Sequence, residues 1–195
     1  AAYARPPHPF LLITTGLMGT GKTSLAGALA PRLGAALFSS DKVRKERAGI
    51  PVTEHRYEPW GVGLYSEAVD EETYGELHRR AREALAAEQS VILDASYRKA
   101  GWRWAAREVA QEAGAPFLAL ECVAPEEAVQ ERLGLRPQEP GALSDGRWEL
   151  YHHQKAAFEP LTEIPAREHI LVDTAPPLEE VAFTALTEVY RRLLA

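Results

Sequence analysis

The chain has 195 residues, 46% of them apolar and 26% charged, with 14 glycines and 14 prolines. Those proportions suit one globular domain and exclude a disordered, collagen-like or low-complexity chain. A net charge of −6 argues against a protein that grips nucleic acid by bulk phosphate neutralisation, and the single cysteine, Cys122, excludes an internal disulfide.

No apolar stretch approaches the length of a membrane span, and the apolar run at residues 10–15 is too short for a signal peptide. The expected setting is soluble and cytoplasmic, with no membrane partner. Residues 1–9 lack an initiator methionine and run Ala-Ala-Tyr-Ala-Arg-Pro-Pro-His-Pro, a stiff, linker-like composition. A processed terminus and a domain cut from a longer protein fit that segment equally. Residues 10–195 are expected to form the functional domain.

From residue 10 onward, short apolar runs alternate with helical patterns. Residues 10–15 read as a strand buried on both faces, because the apolar residues are continuous rather than alternating. Leu25, Leu29 and Leu33 place a helix over 22–33, and residues 35–39 form a second strand. A long helix spans 66–88. A third strand, Val91-Ile92-Leu93, ends at Asp94, and the stripe Trp102, Ala106, Val109, Ala113 marks a helix stopped by Gly114. Residues 117–123 and 169–172 are the fourth and fifth strands. Pro125 suits the start of a helix, and residues 178–193 form the last one. Such repeated alternation predicts an α/β fold, a parallel sheet covered by helices, with ligands at the carboxyl ends of the strands. Two irregular stretches, 49–63 and 134–146, read as binding loops or lids.

Between the first strand and its helix lies Gly16-Leu17-Met18-Gly19-Thr20-Gly21-Lys22-Thr23, which fits G-x-x-x-x-G-K-[ST]. Glycines let the backbone wrap a phosphate, and the helix behind presents unpaired amides and a positive dipole end. Lys22 is expected to reach the β- and γ-phosphates, and Thr23 to be a ligand of Mg²⁺. Gly16, Met18, Gly19, Thr20, Gly21, Lys22, Thr23 and Ser24 form the expected ATP-binding set.

Asp94 ends an apolar strand, where it can hold Mg²⁺ or orient a substrate; its alternative use is as a helix cap. Asp41 follows the second strand and is placed to accept a proton from an acceptor hydroxyl, with Arg44 on the same helical face for an anionic part of the substrate. A helix cap with a solvated basic face is the bland alternative for that pair. Arg132 and Arg136, four residues apart, are candidates to close over the transferring phosphoryl group, ahead of Arg147. Asp173 and Thr174 follow the fifth strand and could meet the adenine through their backbone, or simply turn the chain. His152 and His153 are adjacent and ill-suited to one metal, and Cys122 reads as an inert core residue. The stretch from Arg98 to Arg107 interleaves basic and aromatic residues, a pattern that can stack nucleic acid, although Trp102 also fits the buried stripe. Arg98 is included with Asp41, Arg44 and Asp94 in the expected substrate site.

The phosphate loop, Ser40-Asp41-x-x-Arg44, Asp94-Ala95-Ser96, Glu131-Arg132-Leu133-x-x-Arg136 and Val172-Asp173-Thr174 occur here in one order. Together they resemble the small P-loop kinase group: gluconate kinase, chloramphenicol phosphotransferase, zeta toxins and the kinase domain of polynucleotide kinases. The resemblance covers nearly the whole chain from residue 10. It implies a P-loop fold with strand order 2-3-1-4-5, ATP with Mg²⁺ as donor, and an arginine-bearing lid. In polynucleotide kinases the Asp-x-x-Arg pair supplies a general base and a substrate-phosphate contact, which falls on Asp41 and Arg44. The chain also looks like the ATP-binding domain that follows an aminoglycoside-phosphotransferase-like domain in certain bacterial proteins, with Tyr3-Ala4-Arg5-Pro6-Pro7 as the interdomain connection. The leading expectation is an ATP-dependent kinase acting on a hydroxyl of a small metabolite. The alternatives are a 5′-hydroxyl polynucleotide kinase, which the negative net charge disfavours, and a non-catalytic ATP-binding module regulating an attached phosphotransferase domain.

Overall fold

Leu11–Thr15 (β1) is buried at every position because it is the central strand of a sheet covered on both faces. The computed structural model describes residues 6, 8–51, 54, 61–135 and 147–194. Among these, β1 is followed by α1 (Lys22–Leu33), β2 (Ala36–Ser39), α2 (Ser40–Arg47), a single 3₁₀ turn at Gly63–Tyr65, α3 (Glu67–Ala86), β3 (Val91–Asp94), α4 (Ala100–Glu112), β4 (Phe117–Val123), α5 (Glu126–Leu135), α6 (Trp148–Ala156), β5 (His169–Asp173) and α7 (Leu178–Leu193). All four strand pairings are parallel, in the order β2-β3-β1-β4-β5 expected from the sequence.

Strand alternation divides the core into two layers. Leu11, Ile13, Val91, Leu93 and Ala119 pack with Leu77 and Ala81 of α3 and Trp102, Ala106 and Val109 of α4. Leu12, Ile92, Leu118 and Leu120 face the other way, against Leu25 and Leu29 of α1 and Val181, Ala185 and Leu186 of α7. On the edge strand β5, Ile170 and Val172 point into that second layer, while Leu171 is exposed.

Two helix starts take definite positions. Residues 40–47, read as either a cap or a helix start, make a two-turn helix with Asp41 in its first turn. The α4 helix begins at Ala100, two residues before its apolar stripe, and its N-cap is Lys99, so Asp94 does not cap it. Pro125 stands just ahead of α5, as its fixed φ favours. His152 and His153 are exposed on α6, and burial pushes the Cys122 thiol up to about 12, which makes it unreactive.

Among the described residues Arg103 is the largest fully buried side chain, and it fastens α4 to the segment before β5. It is ion-paired with Glu163 and donates to the carbonyls of Tyr97 (2.8 Å) and Pro160 (3.1 Å). Its hold on Tyr97 matters because Tyr97 sits at φ 43°, a left-handed conformation that costs a non-glycine residue energy. Tyr74 accepts the Tyr97 N–H (3.1 Å), Thr15 donates to its carbonyl (3.4 Å), and the Tyr97 hydroxyl meets His78 Nε2 (3.2 Å). The segment 94–99 is thereby fixed from three sides.

Burial, with a smaller contribution from Arg82, pulls the His78 imidazole down to about 4. The unfolded chain takes up this proton near 6.5 and the folded chain only near 4, so the stabilisation is complete above pH 6.5 and is lost as pH falls toward 4. Denaturant unfolding at pH 7 and pH 4 should show His78 accounting for about 2–3 kcal/mol of the loss, and His78→Gln should remove that share. An unchanged pH slope in His78→Gln would refute the assignment.

Candidate functional site

The phosphate loop leaves β1 through a gap with no room for a side chain. Gly16, at φ 129°, donates its N–H to Ser96 O (3.1 Å) on the β3 side, and a Cβ on it would run into the Cys122 carbonyl oxygen on the β4 side. Gly19 has φ 77°, and a Cβ there would lie 2.8 Å from Val129 Cγ1 of α5. Gly21 enters α1 from the left-handed region at φ 76°, leaving the first amides of that helix pointed into the loop. Inside the turn, the Lys22 Nζ donates to Leu17 O (2.7 Å) and the Thr20 hydroxyl donates to the same oxygen (2.8 Å). The Met18 N–H donates to Gln154 Oε1 of α6 at 2.5 Å.

On one flank of the loop an open cavity of about 270 Å³ is lined by Gly21, Ser24, Arg132, Thr174, Pro176 and Leu178. Its wall joins apolar surface to one guanidinium, suited to a planar, polar-edged group. Arg132 donates to Thr174 O (2.6 Å), to Thr174 Oγ1 (3.2 Å) and to Gly19 O (3.5 Å), so it bridges the loop and the β5–α7 turn. The Thr174 N–H goes to Val123 O (2.9 Å) and its hydroxyl to Thr20 O (2.9 Å). Both backbone groups of Thr174 expected to meet a base are therefore engaged by protein. The Asp173 carboxylate turns back to accept the Ala175 N–H (2.9 Å). Arg136 lies outside the described residues.

On the other flank stands Asp94, 3% exposed. Thr14 Oγ1 is 3.2 Å from its Oδ1 and also serves Ala95, so the end of β1 supports the end of β3. Burial raises the Asp94 pKa; a hydrogen bond from Thr23 and the charge of Lys22 oppose that rise, and nearby Asp41 adds to it. Lysine, threonine and two carboxylates thus meet at the carboxyl ends of β2 and β3. Among the described residues no three His, Cys, Asp or Glu side chains gather as a metal cage. The pair Thr23–Asp94 nevertheless fits Mg²⁺, which takes hard oxygen donors and needs few from protein when a nucleotide supplies the others.

Asp41 and Arg44 share a face of α2, with Arg44 Nη1 3.2 Å from Asp41 Oδ1. The sequence reading did not include the third member, Asp70 of α3. Arg44 Nη2 reaches Asp70 Oδ1 at 2.7 Å, and both terminal nitrogens of Arg98 lie 3.0 Å from Asp70 Oδ2. Burial works against the charge on Arg44, but Asp41 and Asp70 outweigh it and its pKa is raised. Each guanidinium also lies over a ring, Arg44 over Tyr65 (4.9 Å) and Arg98 over Trp102 (4.7 Å).

The basic–aromatic stretch loses its resemblance to a nucleic-acid surface. Arg98, Lys99, Arg103 and Arg107 pair with Asp70, Glu67, Glu163 and Glu168, and Trp102 is buried in a stack on Tyr74 with ring centroids 4.0 Å apart. Among the described residues no helix is long and apolar enough to cross a membrane.

Residues 11–161 match the model of an AAA domain family, AAA_33. The uncharacterized protein Rv2004c of Mycobacterium tuberculosis (strain ATCC 25618 / H37Rv) is 31% identical over 140 residues, 72% of this chain and 28% of the relative. The uncharacterized protein Mb2027c of Mycobacterium bovis matches to the same extent, so the chain spans 28% of the length of these curated relatives. A gluconokinase from Sinorhizobium meliloti 1021 has a TM-score of 0.65 at 23% identity, over 96% of this chain and 94% of that one. The APS kinase CysC of Mycobacterium tuberculosis, in complex with AMPPNP and APS, has a TM-score of 0.66 at 20% identity, over 95% and 99%. Kti12 of Chaetomium thermophilum, in complex with ADP-AlF3, has a TM-score of 0.68 at 17% identity, over 94% and 98%. These identities carry the fold and no more. The chain belongs to the AAA domain family, and its architecture is that of the small P-loop kinases.

Proposed function

We propose that the protein is an ATP-dependent kinase that transfers the γ-phosphoryl group to a hydroxyl of a small acceptor. The observation that carries this reading is that two devices both act on the buried Asp94 at the carboxyl end of β3. One is a glycine loop with Lys22 at its rim; the other is Asp41, with its carboxylate held by Arg44. A phosphate cradle alone binds nucleotide; a carboxylate near it gives an acceptor proton somewhere to go.

In this proposal the loop amides and Lys22 hold the phosphates, Ser24 and Arg132 flank the nucleotide, and the base lies against Pro176 and Leu178. Bound Mg²⁺, held by Thr23 and Asp94, would supply charge neutralisation at the phosphates. Asp41 takes the proton of the acceptor hydroxyl, whose oxygen forms the new bond to the γ-phosphorus as the bond to the β–γ bridging oxygen breaks and ADP leaves. Arg44 and Arg98 fix the acceptor side; Arg136 is assigned to the transferring group, while Arg132, expected there too, is tied to Thr174 and placed beside the nucleotide instead. Residues 10–195 are assigned to this module and residues 1–9 to a linker or terminal segment. The polynucleotide alternative loses support from the neutralised Arg98–Arg107 stretch.

Lys22→Ala should lower transfer of label from γ-labelled ATP into a pool of sugars, antibiotics, nucleosides and oligonucleotides by ~10²–10³-fold. Undiminished transfer in that variant would contradict the role of Lys22. Asp41→Asn separates a kinase from a binding module: calorimetry should find ATP affinity within about threefold of wild type while transfer is lost. Transfer that survives in Asp41→Asn would remove the general base from the account.

A further inference from the structure

Asp70 lies on α3 between the two arginines assigned to the acceptor and belongs to neither the phosphate loop nor the Asp41–Arg44 motif. It is 4% exposed. Each of its oxygens is committed to a different guanidinium, Oδ1 to Arg44 at 2.7 Å and Oδ2 to Arg98 at 3.0 Å. Pairing on both oxygens offsets the cost of burying this carboxylate. The two guanidiniums are also fixed in plane, by Tyr65 on one side and Trp102 on the other. With Asp41, the ion pairs among the described residues join two cations to two anions, a balanced set.

Building on the kinase reading, we infer that Asp70 is a positioning residue that neutralises Arg44 and Arg98, and that the acceptor is therefore an uncharged polyhydroxyl compound rather than a phosphorylated or carboxylated one. The more accessible edge of the cluster is Asp41 and Arg98, whose side chains keep 19% and 14% of their surface, against 7% and 6% for Arg44 and Asp70. Hydroxyl groups suit that edge, since they donate to the Asp41 carboxylate and accept from guanidinium N–H groups without adding charge. An anion arriving there would compete with Asp70 for the same donors and lie close to two carboxylates in a weakly screened site.

The test uses inorganic sulfate as probe, with the phosphate loop saturated by Mg²⁺ and a non-hydrolysable ATP analogue, which fills the γ-phosphate position so that sulfate reports the acceptor side. Calorimetric titration of the wild-type chain should show sulfate binding too weak to saturate, whereas Asp70→Asn, checked for retained nucleotide affinity, should bind at least ~10-fold more tightly than the weakest binding the titration can resolve. A merely structural role for Asp70 would not create an anion site. Saturable millimolar binding by wild type would overturn the inference, and that measurement stands whether or not the variant folds; a folded Asp70→Asn that ignores sulfate would also overturn it. In parallel, labelled ATP is offered with a pool of neutral sugars and polyols and with a pool of sugar acids and sugar phosphates. Label entering only the acidic pool refutes the inference and leaves the kinase reading intact, while label entering neither counts against the kinase reading and leaves sulfate to decide the charge of the site.

Discussion

The close passage of Gly16 between β3 and β4 is the constraint on which the site rests. Its N–H is held by Ser96 and its α-carbon abuts the Cys122 carbonyl, so the chain crosses the sheet end where no L side chain fits. That passage sets where the loop turns, and hence where the α1 amides and Lys22 point. The same sheet end carries Asp94 on β3 and places Asp41 just beyond β2. The register that pairs Ser39 with Asp94 brings the two acidic positions within electrostatic reach of each other.

Charge burial follows from this placement. The strand ends lie deep between α1, α2 and α3, where an isolated ion is costly. The molecule answers differently on its two flanks. Around Asp70 each ion has an opposite partner, while the buried Nε of Arg44 makes no hydrogen bond. Around Asp94 the compensation is incomplete: burial raises its pKa despite Thr23 and Lys22, which leaves a carboxylate whose ionised form gains from an added cation. The nucleotide flank follows a third pattern, with Arg132 donating to the loop and to Thr174 so that α5 is tied to the β5 turn.

The parts written in local spacing were legible in the sequence. Continuous apolar runs gave the five strands, and G-x-x-x-x-G-K-[ST] between a strand and a helix gave the loop, because the three glycines meet needs of the backbone itself. Asp41 and Arg44 were legible because three residues on a helix share a face. Asp70 was hidden in Glu67-Ala68-Val69-Asp70-Glu71-Glu72, an acidic run that looks like a solvated helix face; only the packing of α3 on α2 turns it inward. The basic stretch from Arg98 misled for the opposite reason, since its carboxylate partners lie 28 to 61 residues away in sequence. Gln154, which accepts the Met18 N–H, carried no local signal at all.

The most direct test of the central claim, that the loop is a preorganised anion cradle, is calorimetric titration with MgADP and with adenosine. The account predicts that the diphosphate binds at least ~100-fold more tightly, because loop amides and Lys22 act on phosphate and not on the base. Equal affinities for ADP and adenosine would show that the loop contributes nothing to binding and would contradict the account.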